Sequence, residues 1–159
     1  MNTKIYIDSA NLNFGTKSIG VDLNYEKFYK YLKHKFKNSN IKFFVGYILA
    51  KDEFYNLLKN IGYEMQYKEV TSHRGITKGN VDAEMVLSIA VDIVENNVKE
   101  IIICSGDGDF SCVIDFALKR NVLVWVIAPQ VGKCSYLIRR YSNRIKVVYL
   151  EKVSKVKLE

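Results

Sequence analysis

Short apolar runs alternate with longer stretches of helical period along most of this chain. Lys4-Ile5-Tyr6-Ile7, Ile101-Ile102-Ile103-Cys104 and the run from Val122 to Ile127 read as buried strands between polar flanks. Tyr25 to Phe36 puts Phe28, Tyr31, Leu32 and Phe36 on one helical face, with Asn24 as its N-cap. Asp52 is expected to cap a second helix, closed near Gly62. Val81 to Glu95 repeats Met85, Val86, Ile89, Ala90, Ile93 and Val94 at helical period. Phe110, Val113, Ile114, Ala117 and Leu118 mark a fourth helix. Further strands are expected near 41–49, 63–67 and 146–150, and a short helix near 135–141. Polar loops are expected after the first strand, around Asn11, Asn13, Gly15 and Gly20, and over 71–80.

Alternating strands and helices with apolar strands predict a mostly parallel sheet covered on both faces. The fold class is α/β, a three-layer α/β/α sandwich. One domain is expected over residues 1–150, followed by a charged tail, 151–159, that frays. Right-handed crossovers gather the strand-to-helix loops at one sheet edge. In open parallel sheets that edge is where ligands bind.

Acidic residues fall at that edge. Asp8 ends the first strand. Ser105-Gly106-Asp107-Gly108-Asp109-Phe110 follows the strand at 101–104. On a helical wheel Asp82 points along the buried stripe of its helix, while Glu84 points to water. An inward acid needs a partner, because an unpaired buried charge is costly. A cation shared by Asp8, Asp82 and Asp107 would supply one. Each acid also has a simpler role: Asp109 as an N-cap, Asp82 as a dipole complement, Asp107 as a turn former, Asp8 as a strand terminator. A meeting of carboxylates makes an oxygen-rich cage suited to Mg²⁺ or Mn²⁺. Such ions clamp phosphate oxygens and lower the pKa of bound water, which permits in-line attack on a phosphodiester. Asn11 could orient a carboxylate or phosphate, and Ser105 could brace Asp8. Lys78 could neutralise a phosphate.

Charge agrees with a polyanionic partner. The 159 residues carry a formal net charge of +7, with 48% hydrophobic and 26% charged residues. Lys133, Arg139, Arg140, Arg144 and Lys146 cluster late, where Tyr136 and Tyr141 are the better candidates for exposed stacking surfaces. The three cysteines form no C-x-x-C pair, so packing and a reduced, cytoplasmic compartment fit them best. His34 and His73 lack zinc-ligand spacing. No apolar run approaches a membrane span, and a strand starting near Lys4 leaves no room for a signal peptide.

Three motifs, in order, resemble the NYN-domain branch of PIN-like nucleases, the LabA-like group: Ile5-Tyr6-Ile7-Asp8-Ser9-Ala10-Asn11-Leu12, Lys78-Gly79-Asn80-Val81-Asp82 through Asp92, and Ser105 to Phe110. The resemblance spans roughly residues 4 to 128. It implies a PIN-like sandwich, a Mg²⁺ or Mn²⁺ site and ribonuclease chemistry on RNA. It makes Asp8, Asp82, Asp107 and Asp109 metal-site acids, with Asn11 and Ser105 beside them. Asp92 matches a family acid, but its place at the edge of the buried stripe favours a supporting hydrogen bond. Asn121 stands where such proteins commonly have Gly, and Asn suits the same left-handed turn. Lys78, Lys133, Arg139 and Arg140 are the candidate RNA contacts. A homo-oligomer is compatible with the sequence.

Other readings are an RNA-binding module of the same fold with weak catalysis, and a phosphatase with Asp8 as nucleophile. Against the phosphatase, Ala10 stands where a second acid is needed. A dinucleotide-binding domain is disfavoured because Gly106-x-Gly108 lacks a third glycine and follows the wrong strand. TOPRIM-type sites carry a glutamate where Asp8 stands.

Overall fold

The computed structural model describes residues 2–69, 71–73, 76–78 and 81–159, with backbone alone at 71–73 and 76–78. The strands are β1 (Thr3–Asp8), β2 (Ser39–Tyr47), β3 (Glu64–Glu69), β4 (Thr71–His73), β5 (Ile76–Lys78), β6 (Glu100–Cys104), β7 (Leu123–Ala128) and β8 (Lys146–Tyr149). The helices are α1 (Ser9–Ser18), α2 (Tyr25–Lys35), α3 (Asp52–Ile61), α4 (Asp82–Val94), α5 (Ser111–Lys119) and α6 (Tyr136–Arg139). The main sheet has six strands in the order β3-β2-β1-β6-β7-β8. Every pairing within it is parallel.

Period-two alternation splits each central strand between two cores. Ile5 and Ile7 of β1 face the core built with Leu12, Phe28, Leu32 and Leu58, under α1, α2 and α3. Tyr6, Ile101 and Ile103 face the opposite core, with Met85, Ile89, Val113, Ile114 and Ile138 from α4, α5 and α6. Strands buried on both faces must be apolar throughout, which is why β6 reads as an unbroken isoleucine run.

The strand order sets the position of the site. From β1 the chain winds outward through β2 to β3, then crosses back and adds β6, β7 and β8 on the other side. The C-terminal ends of β1 and β6 therefore flank the topological switch point, where loops on either side lead away to opposite faces and leave a crevice.

Several expected elements differ. The loop expected after the first strand is helix α1, which starts immediately at Ser9, with the Asp8 side chain as its N-cap. Its Gly15 lies against Pro129 so closely that a Cβ there would overlap the proline ring. This contact joins residues remote in sequence, so local pattern gives no sign of it. The polar stretch at 71–80 contains the antiparallel hairpin β4–β5. Asp52 lies inside the first turn of α3 and makes no side-chain cap. Val94, placed on the buried stripe, is 62% exposed, while its neighbour Ile93 is buried in the core. Cys112, taken as a packing residue, is exposed. Tyr136 is exposed as expected, whereas Tyr141 packs partly buried against the core.

The tail at 151–159 also differs from a fraying one. Leu158 is completely buried in the core under α2. Its carbonyl accepts from the Asn24 backbone N–H at 2.7 Å, which fastens the tail at the start of α2. Val153 packs at the edge of the same core, and Glu151 accepts from the Val131 N–H at 2.8 Å, so apolar and polar contacts together dock the charged segment. Asn24 caps α2 through Lys27 N as expected, and Asn121 takes φ 58°, the left-handed turn its position required.

Candidate metal centre

Three segments meet at the switch point. β1 delivers Asp8 at its last residue, and the β6–α5 loop delivers Ser105, Asp107 and Asp109. α4 opens at Asp82, and this helix packs against the 3-10 turn Gly108–Phe110. One ligand oxygen from each of Asp82, Asp107 and Asp109 falls in a group whose members all lie within 4.8 Å of one another. Asp82 and Asp107 are half-buried and Asp109 is exposed, so the group opens to solvent on one side.

A Mg²⁺ ion with ligands at about 2.1 Å places its oxygens no more than ~4.2 Å apart. The observed spread is only slightly wider, so small side-chain adjustments would let these carboxylates surround one hard cation. Mg²⁺ and Mn²⁺ fit an all-oxygen donor set, and among the described residues no His or thiolate joins the group to favour a softer metal.

Electrostatics shows the crowding. The Asp82 carboxyl is pushed up to about 6 by burial first, then by the charges of Asp8, Asp107 and Asp109. Burial also raises Asp8, while hydrogen bonds from the Asn11 backbone and Ser105 oppose the rise and the Asp107 charge adds to it. Concentrated negative charge of this kind is lowered in energy by a bound cation and would repel an approaching phosphate in its absence.

Asp8 stands behind this cluster and is outside the group of mutually close oxygens. Oδ1 accepts from the Asn11 backbone N–H at 3.2 Å, and Oδ2 accepts from the Ser105 hydroxyl at 2.9 Å. Ser105 is fully buried, and its oxygen accepts from the Asp107 N–H at 3.1 Å. Asn11 Oδ1 accepts from the Gly106 N–H at 2.9 Å. Asp8, Asn11 and Ser105 thus bind the end of β1 to the acidic loop. Asp109 does not cap the following helix. Asp107 accepts from the Asp109 N–H at 2.9 Å and caps the 3-10 turn instead.

The candidate basic contacts divide. Lys133 is exposed, with Nζ 5.2 Å from the Phe14 ring centre, beside a small pocket that includes Asn11 and Gly106. Arg139 donates from Nε to the Cys134 carbonyl at 3.1 Å, and Arg140 donates to the Tyr141 hydroxyl at 3.1 Å. Both arginines are exposed, and these contacts bind them within their own segment. Lys78 ends β5, but its side chain, with Gly79 and Asn80, lies outside the described residues.

Asp92 is 2% exposed and is held by four donors. They are Lys4 at 2.6 Å, Lys42 at 2.8 Å, the Tyr6 hydroxyl at 2.9 Å and Asn96 at 2.9 Å. Burial alone would raise its pKa, but these donors together bring it down to about 2. It is a structural anchor between α4, β1 and β2.

One supporting residue, Ser135, was invisible to sequence reasoning. Ser135 donates its backbone N–H to the Gly106 carbonyl at 2.9 Å. A Cβ on Gly108 would lie 2.5 Å from Ser135 Oγ. The start of α6 therefore rests directly on the acidic loop, and only a glycine fits beneath it. Gly108 carries the signal in retrospect, whereas nothing around Ser135 distinguishes it from an ordinary helix cap.

The sequence matches the NYN domain family over residues 2–147. The chain is a member of the NYN domain family. That family belongs to the PIN-like nuclease superfamily. A crystal structure of a protein of unknown function from Vibrio parahaemolyticus is similar over 94% of both chains, with 20% identity and a TM-score of 0.72. That likeness supports the shared fold. MurG from Acinetobacter baumannii aligns over 92% of this chain and 40% of its own, with 11% identity and a TM-score of 0.44, too weak to bear on function. No curated protein matches the chain significantly. Among the described residues, no helix of this NYN domain is long and apolar enough to cross a membrane.

Proposed function

We propose that this NYN domain is a divalent-metal-dependent ribonuclease that hydrolyses RNA phosphodiester bonds at the switch-point crevice. The observation that carries the reading is the convergence of Asp82, Asp107 and Asp109 oxygens within 4.8 Å, on the side open to solvent. These three carboxylates would hold Mg²⁺ or Mn²⁺. When bound, the ion neutralises phosphate charge and makes water a competent nucleophile near neutral pH.

Asp8 adds charge from behind and positions the loop. Its hydrogen bonds to Ser105 and to the Asn11 backbone, with the Asn11 side chain on Gly106, hold Asp107 and Asp109 against α4. Pre-set carboxylates avoid reorganisation when charge develops at the scissile phosphate. Lys133 beside Phe14 is the best placed of the basic candidates to meet a phosphate leaving the crevice. The net charge of +7 draws a polyanion toward the surface despite the local acids. Free cysteines at 104, 112 and 134 suit a reduced compartment such as the cytoplasm.

The test is cleavage of end-labelled RNA by the purified chain with Mn²⁺, with EDTA, and with Asp107→Asn as the control. Mn²⁺-dependent cleavage that the variant loses supports the reading. RNA binding without cleavage at any metal concentration would leave a binding module of the same fold.

A further inference from the structure

The docked tail has a consequence on the face of the sheet under α2. The 3-10 turn Lys155–Lys157 lies alongside α2, where Lys155 Nζ also donates to the Gly20 carbonyl at 3.2 Å. Between helix and tail runs an open groove of about 890 Å³. Lys27, Lys30, Tyr31, His34 and Lys35 line it from α2, and Lys157 lines it from the tail beside Val156. No acidic side chain lines it among the described residues. Glu26 pairs with Lys30 at 2.6 Å at the outer edge and offsets one charge. The lysines and His34 are exposed, while Tyr31 is half-buried.

The spacing is that of one helical face: positions 27, 30, 31 and 34 fall on adjacent turns. Like charges crowded on one face are not a device for folding, since they repel one another. Their arrangement suits a long polyanion, with ammonium groups on mobile stems following phosphates and a ring available for a base. The concave shape suits a thin strand better than a flat membrane. The family match ends at residue 147, so the tail wall belongs to the stretch beyond the shared span.

We propose that the groove between α2 and the tail is a second binding site for single-stranded RNA, separate from the acidic crevice, that retains long substrates. This rests on the ribonuclease reading for its choice of RNA.

The experiment measures binding of a labelled single-stranded RNA of about 20 nucleotides in EDTA across a salt series. The full chain is compared with Lys27→Gln/Lys30→Gln/Lys157→Gln and with a charge-matched control, Lys59→Gln/Lys99→Gln/Lys119→Gln. The groove variant is expected to lose about tenfold or more in affinity and roughly 2 units of salt slope. The control is expected to change by less than about twofold. With Mn²⁺, both variants are expected to cleave a tetranucleotide at the wild-type rate, while the groove variant loses efficiency on the long RNA. Equal losses in both variants, no loss in the groove variant, or loss of binding to anionic phosphatidylserine vesicles in place of RNA would overturn the proposal. Binding is read without metal, so absence of cleavage would sink the ribonuclease reading while the groove test still stands.

Discussion

Ser105 donates its hydroxyl proton to Asp8 Oδ2 at 2.9 Å, between residues 97 positions apart in sequence. The same oxygen accepts from the Asp107 N–H, so one buried hydroxyl couples the strand acid to the loop acid. Ser105→Ala leaves the buried Asp8 carboxylate short of a donor and the Asp107 N–H short of an acceptor. We expect a loss of about 1–3 kcal/mol in urea unfolding, and weaker Mn²⁺ binding because the loop is no longer held. Ser105→Thr should recover most of the metal affinity.

Asp82 and Asp8 should respond in opposite directions to neutralisation in metal-free protein. Asp82 has a raised pKa from burial and neighbouring carboxylates, so Asp82→Asn relieves repulsion. Solvent screening keeps the gain on the order of 1 kcal/mol, or roughly 2–4 °C in Tm. Asp8→Asn gains a similar relief from burial and from the Asp107 charge, but it loses more, because an amide has one acceptor oxygen for the Asn11 N–H and the Ser105 hydroxyl and its Nδ2 cannot accept. Its Tm should fall. Metal-free calorimetry of both variants checks the pair.

The pH dependence of metal binding follows from the Asp82 carboxyl, which titrates at about 6. Below that value the proton competes with the cation and removes a charged ligand. Mn²⁺ affinity should be full at pH 7.5 and fall as pH drops through about 6. Without metal the linkage has the opposite sense for stability. The folded pKa lies above the unfolded one, so the contribution is present below about 4 and is lost as pH rises through 6.

Asp92 should behave as an anchor, with no metal role. Its pKa is depressed to about 2 by four donors that outweigh its burial. That stability is present above the unfolded value near 3.9 and lost as pH falls toward 2. Asp92→Asn leaves Lys4 and Lys42 facing a neutral group and should cost about 3 kcal/mol. Mn²⁺ affinity at neutral pH, measured well below the melting temperature, should stay at the wild-type value.

Gly108→Ala tests the contact of α6 with the loop. The added Cβ meets Ser135 Oγ at 2.5 Å, so one side must move. A loss of about 1–3 kcal/mol is expected, together with weaker metal binding. Gly108→Ala combined with Ser135→Gly should restore part of both.

The layers and most elements were legible because strands buried on two faces, such as Ile101 to Cys104, cannot hide their composition. Asn24 and Asn121 were legible for local reasons, since a cap and a left-handed turn each demand few residue types. Helix α1 was not. Its sequence, Ser9 to Ser18, mixes asparagines, a threonine and a glycine, and it is held by the Asp8 cap and by packing on Pro129. The convergence of Asp82, Asp107 and Asp109 could be expected from their places at strand and helix ends. The brace between Ser105 and Asp8 was legible too, but the place of Asp8 outside the group of close oxygens was not, because it depends on how far the end of β1 stands from the loop and from α4. Tail docking rests on buried Leu158, on Val153 at the edge of the same core and on contacts to distant backbone such as Lys155 to Gly20, signals too small to outweigh five neighbouring charges at 151, 152, 155, 157 and 159.

Electron paramagnetic resonance of Mn²⁺ titrated into the purified chain at pH 7.5 reads the acidic cluster most directly. Saturable binding that is lost or weakened at least about tenfold in both Asp82→Asn and Asp107→Asn, with folding intact, is the predicted result. Binding that survives unchanged in both variants would contradict a cation seated among these carboxylates.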